Sequence, residues 1–109
     1  MAIIVHFEAA HRLPHVSPDH RCYRIHGHSY RCELVTSGRQ EHAQKTLEQI
    51  ISPLRHCYLN DLPELDNPTS EMISLWVWRS LVKKGVQPCE ITISENDDSA
   101  CVYRGELWT

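Results

Sequence analysis

Apolar residues recur at every second position near the start of the chain: Ile3, Val5, Phe7 and Ala9 share one side, and His11 continues it. That spacing predicts a strand from Ile3 to His11 with one buried face and an inward histidine at its end. After a loop from Arg12 to Ile25 the alternation resumes between His26 and Thr36. There His26, His28, Tyr30, Cys32 and Leu34 fall on one side, and Ser29, Arg31 and Glu33 on the other. Two more histidines therefore share an inward face. Between Glu41 and Leu54 the period changes, because Ala43, Leu47, Ile50, Ile51 and Leu54 recur at helical spacing and Pro53 marks the end. A second helix is predicted to start at Asn67 as N-cap, with Pro68 in the first helical position and Glu71 in the first turn, and to run to about Lys84 before Gly85. Its apolar arc is wide, drawing on Ile73, Leu75, Trp76, Val77, Trp78 and Leu81. Cys89, Ile91, Ile93 and Glu95 then share one face of a third strand. The polar turn Asn96-Asp97-Asp98-Ser99 leads into a fourth strand, Ala100 to Arg104, closing a hairpin.

Strand, strand, helix, helix, strand, strand is an α+β order, and it predicts a four-stranded antiparallel sheet with both helices on one face. Four strands leave two edges open, so oligomerisation is expected to cover them. With 109 residues, 41% of them hydrophobic, the chain supports one modest core, and residues 1–109 read as a single domain. A formal charge of −3 argues against a nucleic-acid partner held through phosphates. The first residues carry no cationic leader and no apolar run long enough to span a bilayer, so a cytoplasmic protein with no membrane partner is expected. Five cysteines at irregular spacing do not describe a disulfide framework and read as thiols or ligands. Eight histidines are the unusual feature of the composition.

Zinc favours imidazole nitrogen, and catalytic zinc sites commonly use three protein ligands and leave a position open. His11, His26 and His28 fit that count, because His26 and His28 sit at i and i+2 on one strand face and His11 arrives from its neighbour. A rival set, His20, Cys22, His26 and His28, would instead form a closed structural site. Cys22, in a polar loop beside such a metal, is a candidate base because nearby positive charge favours the thiolate. Cys32, Cys89 and Cys101 read as small buried hydrophobes. Glu95 is a carboxylate on an apolar face, able to grip a guanidine-like N–H pair through two parallel hydrogen bonds.

Phe7-Glu8-Ala9-Ala10-His11-Arg12-Leu13-Pro14 followed by Cys22-Tyr23-Arg24-Ile25-His26-Gly27-His28 resembles the signature of the 6-pyruvoyl-tetrahydropterin synthase superfamily. The three residues between Cys22 and His26 resemble its queuosine-pathway branch, the bacterial 6-carboxy-tetrahydropterin synthases. Further similarity lies in His56-Cys57-Tyr58-Leu59-Asn60-Asp61, Asn67-Pro68-Thr69-Ser70-Glu71, Ser94-Glu95 and Cys101-Val102-Tyr103-Arg104-Gly105-Glu106. The resemblance implies the tunnelling fold, assembled into oligomeric β-barrels as a hexamer of two stacked trimers with pockets between subunits. It implies Zn2+ on His11, His26 and His28, Cys22 as catalytic base, His56 as its relay partner, Glu95 as the pterin anchor, and Thr69, Ser70 and Glu71 lining the pterin pocket. The implied substrate is 7,8-dihydroneopterin triphosphate, and the implied products are 6-carboxy-tetrahydropterin, acetaldehyde and triphosphate.

Two departures from the family pattern stand out. Arg55 precedes His56 where the family carries Asp, and the connection after Gly38 is shorter by about ten residues. A guanidinium beside His56 would disfavour its imidazolium. An attenuated zinc- and pterin-binding homologue, or an enzyme closer to 6-pyruvoyl-tetrahydropterin synthase, therefore stand as the alternatives to a full 6-carboxy-tetrahydropterin synthase.

Overall fold

The two N-terminal alternating segments pair as β1 (Ala2–His11) and β2 (His26–Val35) in the computed structural model, which describes residues 2–20, 23–95 and 99–105, the side chains of His26 and Ser99 excepted. They run antiparallel with His11 opposite His26, Ala9 opposite His28 and Phe7 opposite Tyr30. β3 (Glu90–Glu95) lies against β2 with Glu95 opposite Tyr30, and β4 (Ser99–Tyr103) lies outside β3. The sheet is antiparallel throughout, in the order β1-β2-β3-β4.

Two helices interrupt the sheet order between β2 and β3. α1 (Gln40–Ile51) buries Ala43, Leu47, Ile50 and Ile51, and α2 (Ser70–Lys83) buries Ile73, Val77 and Leu81. Both pack against the face formed by Ile3, Val5, Phe7, Tyr30, Cys32, Leu34, Ile91 and Ile93. The period-2 and period-3.6 patterns thus meet in one core, where burying each large aliphatic side chain contributes roughly 1.5–3 kcal/mol. Only Thr36 to Arg39 join β2 to α1, and the Gln40 side chain donates to the carbonyls of Thr36 and Gly38 at 2.8 and 3.0 Å, tightening this short connection. Pro53 falls in a 3-10 turn, Ser52–Leu54, that ends α1.

The start of α2 lies later than the sequence predicts. Thr69, not Asn67, is the N-cap: its Oγ1 accepts the Met72 N–H at 3.2 Å. Asn67 instead uses its carbonyl to accept from the Thr69 N–H, and Pro68 stays outside the helix. Thr69→Ala is expected to lower stability by about 1 kcal/mol, read as a lower denaturant midpoint. An unchanged midpoint would remove the capping role. At the other end Gly85, with φ +85°, closes a Schellman turn in which Val86 N–H reaches Leu81 O and Gly85 N–H reaches Val82 O. Cys32 and Cys101 are buried as expected. Cys89 is not: it is exposed one residue before β3, where its N–H donates to Val35 O at 2.8 Å.

The two edges of the sheet differ. Past β1 the segment after α1 turns back, so that His56 N–H donates to Glu8 O at 2.6 Å and Ala10 N–H donates to Cys57 O at 2.9 Å. The expectation of two open edges is therefore met on β4, which has no further strand beside it among the described residues, and only in part on β1. A 3-10 turn, Leu59–Asp61, follows, and Asn60 clamps the end of β1 by accepting the Arg12 N–H and donating to the Arg12 carbonyl, each at 2.9 Å. No helix among the described residues is long and apolar enough to cross a membrane.

Candidate active site

The inward face of the sheet is apolar until its last row, where the strand ends carry polar side chains. His11 is 2% exposed, and its Nδ1 lies 2.9 Å from the Pro68 carbonyl and 3.0 Å from the Tyr30 hydroxyl. A carbonyl can only accept, so Nδ1 carries the hydrogen and Nε2 keeps its lone pair, the form in which an imidazole binds a metal. The His28 ring stands edge-on to His11, with centroids 4.8 Å apart and planes at 88°. Its Nε2 lies 3.6 Å from Glu95 Oε2, while Ser70 Oγ donates to Glu95 Oε1 at 2.8 Å.

One potential ligand atom from each of His11, His28 and Glu95 falls within 4.8 Å of the others. Two neutral imidazoles and a carboxylate suit a borderline cation such as zinc. His26, the third imidazole expected there, has its backbone directly across from His11, and its side chain lies outside the described residues. Cys22 lies outside them altogether. The rival closed set of His20, Cys22, His26 and His28 loses part of its appeal, since His28 turns toward His11 and Glu95.

A cavity of about 220 Å³ opens beside this cluster, lined by His11, Leu13, Thr69, Ser70, Glu71, Glu95, Ala100 and Cys101. Four residues singled out from the sequence as substrate contacts thus border one space. The N-terminus of α2 places Thr69, Ser70 and Glu71 there, and β3 ends at the cavity with Glu95. The groups beneath are kept neutral. Burial, with the Glu95 charge adding to it, pushes the Tyr30 phenol upward, and burial with the neighbouring Glu33 raises the Cys32 thiol to about 12.

His56 lies elsewhere. It borders not the 220 Å³ cavity but a second cleft of about 570 Å³, together with Glu8, Ala9, Ala10, Gly27, Ser29 and also His28 of the histidine cluster. Its place beyond the outer edge of β1 puts two strands between it and Glu95, roughly 14 Å at ~4.8 Å per strand. Arg55 has partners on α1 and β1. Its guanidinium lies 3.3 Å from Glu48 Oε2 and donates to the His6 carbonyl at 3.1 Å. Cys57, next in sequence, donates to Leu54 O, and burial followed by the charge of Asp61 raises its thiol pKa, which makes it a poor nucleophile.

The sequence reading gave no role to Tyr30 or to the Pro68 carbonyl, the two groups that hold the His11 ring. Tyr30 was visible on the inward face two residues after His28, and only the strand register brings its hydroxyl to His11.

The family model described as 6-pyruvoyl tetrahydropterin synthase matches residues 2–106. A Synechocystis sp. protein named 6-carboxy-5,6,7,8-tetrahydropterin synthase is 38% identical over 113 aligned residues, covering 89% of this chain and 86% of the relative. An Archaeoglobus fulgidus protein named putative 6-carboxy-5,6,7,8-tetrahydropterin synthase is 26% identical, covering 90% of this chain and 89% of the relative. Among solved structures, an uncharacterized protein from Wolinella succinogenes superposes with a TM-score of 0.74 at 15% identity, covering 97% of both chains, a likeness of fold.

Proposed function

The chain belongs to the 6-pyruvoyl tetrahydropterin synthase family, and from that premise we propose that it is a zinc-dependent 6-carboxy-5,6,7,8-tetrahydropterin synthase acting in queuosine biosynthesis. The substrate is 7,8-dihydroneopterin triphosphate; with one water taken up, the products are 6-carboxy-tetrahydropterin, acetaldehyde and triphosphate. The observation that carries this reading is the meeting of His11, His28, Ser70 and Glu95 beside one cavity at the end of the sheet.

His11, His26 and His28 would hold the zinc, which when bound supplies a Lewis acid for the side-chain hydroxyls of the substrate. The other roles belong to the chain's own side chains. Glu95 accepts the N–H pair of the pterin ring, and the hydrogen bond from Ser70 keeps its carboxylate turned into the cavity. Thr69, Ser70 and Glu71 bound the pterin. Cys22 is the base that removes a proton from the side chain, and His56 passes protons on as the side chain is cleaved.

Since His56 lies across the sheet from Glu95, the relay for one pocket is supplied by a neighbouring copy. A hexamer of stacked β-barrel trimers, with pockets between subunits, provides that arrangement and covers the edge of β4 as well. Arg55 bears on rate rather than on identity. With its charge engaged by Glu48, the electrostatic penalty expected at His56 is smaller than adjacency in sequence suggests.

Incubation of the zinc-loaded protein with dihydroneopterin triphosphate, followed by mass analysis, is expected to yield 6-carboxy-tetrahydropterin and acetaldehyde. A product that retains the three-carbon side chain would favour the 6-pyruvoyl-type reaction. Pterin binding with no product would mark an impaired homologue, and neither binding nor product would overturn the reading.

A further inference from the structure

Three consecutive residues take up successive outward-facing groups of β1. Arg55 Nη2 donates to His6 O at 3.1 Å, His56 N–H donates to Glu8 O at 2.6 Å, and Cys57 O accepts from Ala10 N–H at 2.9 Å. The middle residue is in an unusual conformation: His56 has φ +56°, a left-handed backbone that costs a residue with a Cβ and lasts only where its surroundings enforce it. On the Cys57 side the enforcement is a backbone hydrogen bond. On the other side the Arg55 N–H donates to Ser52 O at 3.2 Å, and the Arg55 guanidinium adds a side-chain tie to the edge of β1. That guanidinium is held in turn by Glu48, which α1 fixes through the buried neighbours Leu47 and Ile51.

We propose that Arg55 is a positioning residue for His56, a clamp that ties α1 to the edge of β1 and holds the intervening turn in the one conformation that presents the His56 imidazole. The proposal rests on the reading of His56 as a proton relay, and it assigns Arg55 a geometric role in place of an electrostatic one. An aspartate at this position is too short to bridge Glu48 and His6 O, and like charge would set it against Glu48. Arg55→Asp should therefore impair the protein, although charge alone predicts a gain.

The clamp is read first without turnover, by amide hydrogen exchange of the whole chain under conditions where wild type and variants are folded. In Arg55→Ala the amides of His56 and Ala10 are expected to exchange about threefold faster, the scale of an exposed charged contact, with core amides of β2 unchanged. Arg55→Lys, which keeps the charge and one reach, should recover part of the protection. Unchanged exchange at His56 and Ala10 in Arg55→Ala overturns the proposal.

Turnover of dihydroneopterin triphosphate gives the second readout, with kcat expected to fall about tenfold in Arg55→Ala and KM to stay within about twofold. If His56→Asn leaves turnover intact, the relay reading fails and this role for Arg55 fails with it. If His56→Asn abolishes turnover and Arg55→Ala does not lower it, the role of Arg55 fails alone.

Discussion

Alanine in place of His28 is expected to remove zinc from the metal-loaded protein and to leave its fold in place. The side chain is 15% exposed and stands at the mouth of the cluster, so its loss opens no large internal void. Two remaining imidazoles cannot hold a three-ligand site, and affinity is expected to drop by at least about 10²-fold, beyond the 10–100-fold that loss of a supporting hydrogen bond costs such a site. His11→Ala should do the same with an added penalty. It leaves the Pro68 carbonyl and the Tyr30 hydroxyl without their shared partner in a buried place, which costs about 1–3 kcal/mol per group. Metal analysis after dialysis, competition with a chelator and thermal unfolding together separate the two variants. Full zinc retention in His28→Ala would take that residue out of the ligand set.

Glu95→Gln is expected to weaken binding of a phosphate-free pterin by about 1.5–3 kcal/mol, roughly 10- to 150-fold in Kd. The variant replaces a carboxylate with an amide that has one acceptor oxygen, so one N–H of the ring faces a donor. Ser70 already directs its hydroxyl to one carboxylate oxygen, and that contact fixes which way the group faces. Zinc content measured beside pterin affinity divides two roles for Glu95, whose oxygen is close enough to His28 and His11 to join a metal. A ring anchor loses pterin and keeps zinc; a ligand loses both. Unchanged pterin affinity would place the anchor elsewhere.

The strands were legible because only one face of the sheet is covered. Under that condition a period of two reports burial directly, and Ile3 through His11 and His28 through Leu34 lie inward as expected. Glu95 was legible for the same reason, as the carboxylate that continues the row of Ile91 and Ile93. The start of α2 was misplaced by two residues, since Asn67 and Thr69 are both good caps and the choice is made by tertiary contact. The Pro68 carbonyl serves His11, and Thr69 is left facing the first turn. His56 and Arg55 were the least legible. Adjacency suggests that they act on each other, yet Arg55 reaches Glu48 and the His6 carbonyl, and the left-handed turn at His56 depends on a pairing with Glu8 distant in sequence. Local pattern carries no information about such a contact.

The uninterrupted strand order conceals a break in the chain, since everything from Thr36 to Cys89 must be bridged before β2 can meet β3. The β1–β2 and β3–β4 pairs are local and close at low entropic cost; the seam between them is a long loop closure and is expected to limit the folding rate. His11 and His28 belong to the first pair, Glu95 to the second, and Ser70 to the helix that arrives with the seam. A refolding chain therefore has a place for a metal before it has a place for a pterin, so zinc added early should speed the slow phase while a pterin added early should leave it unaltered.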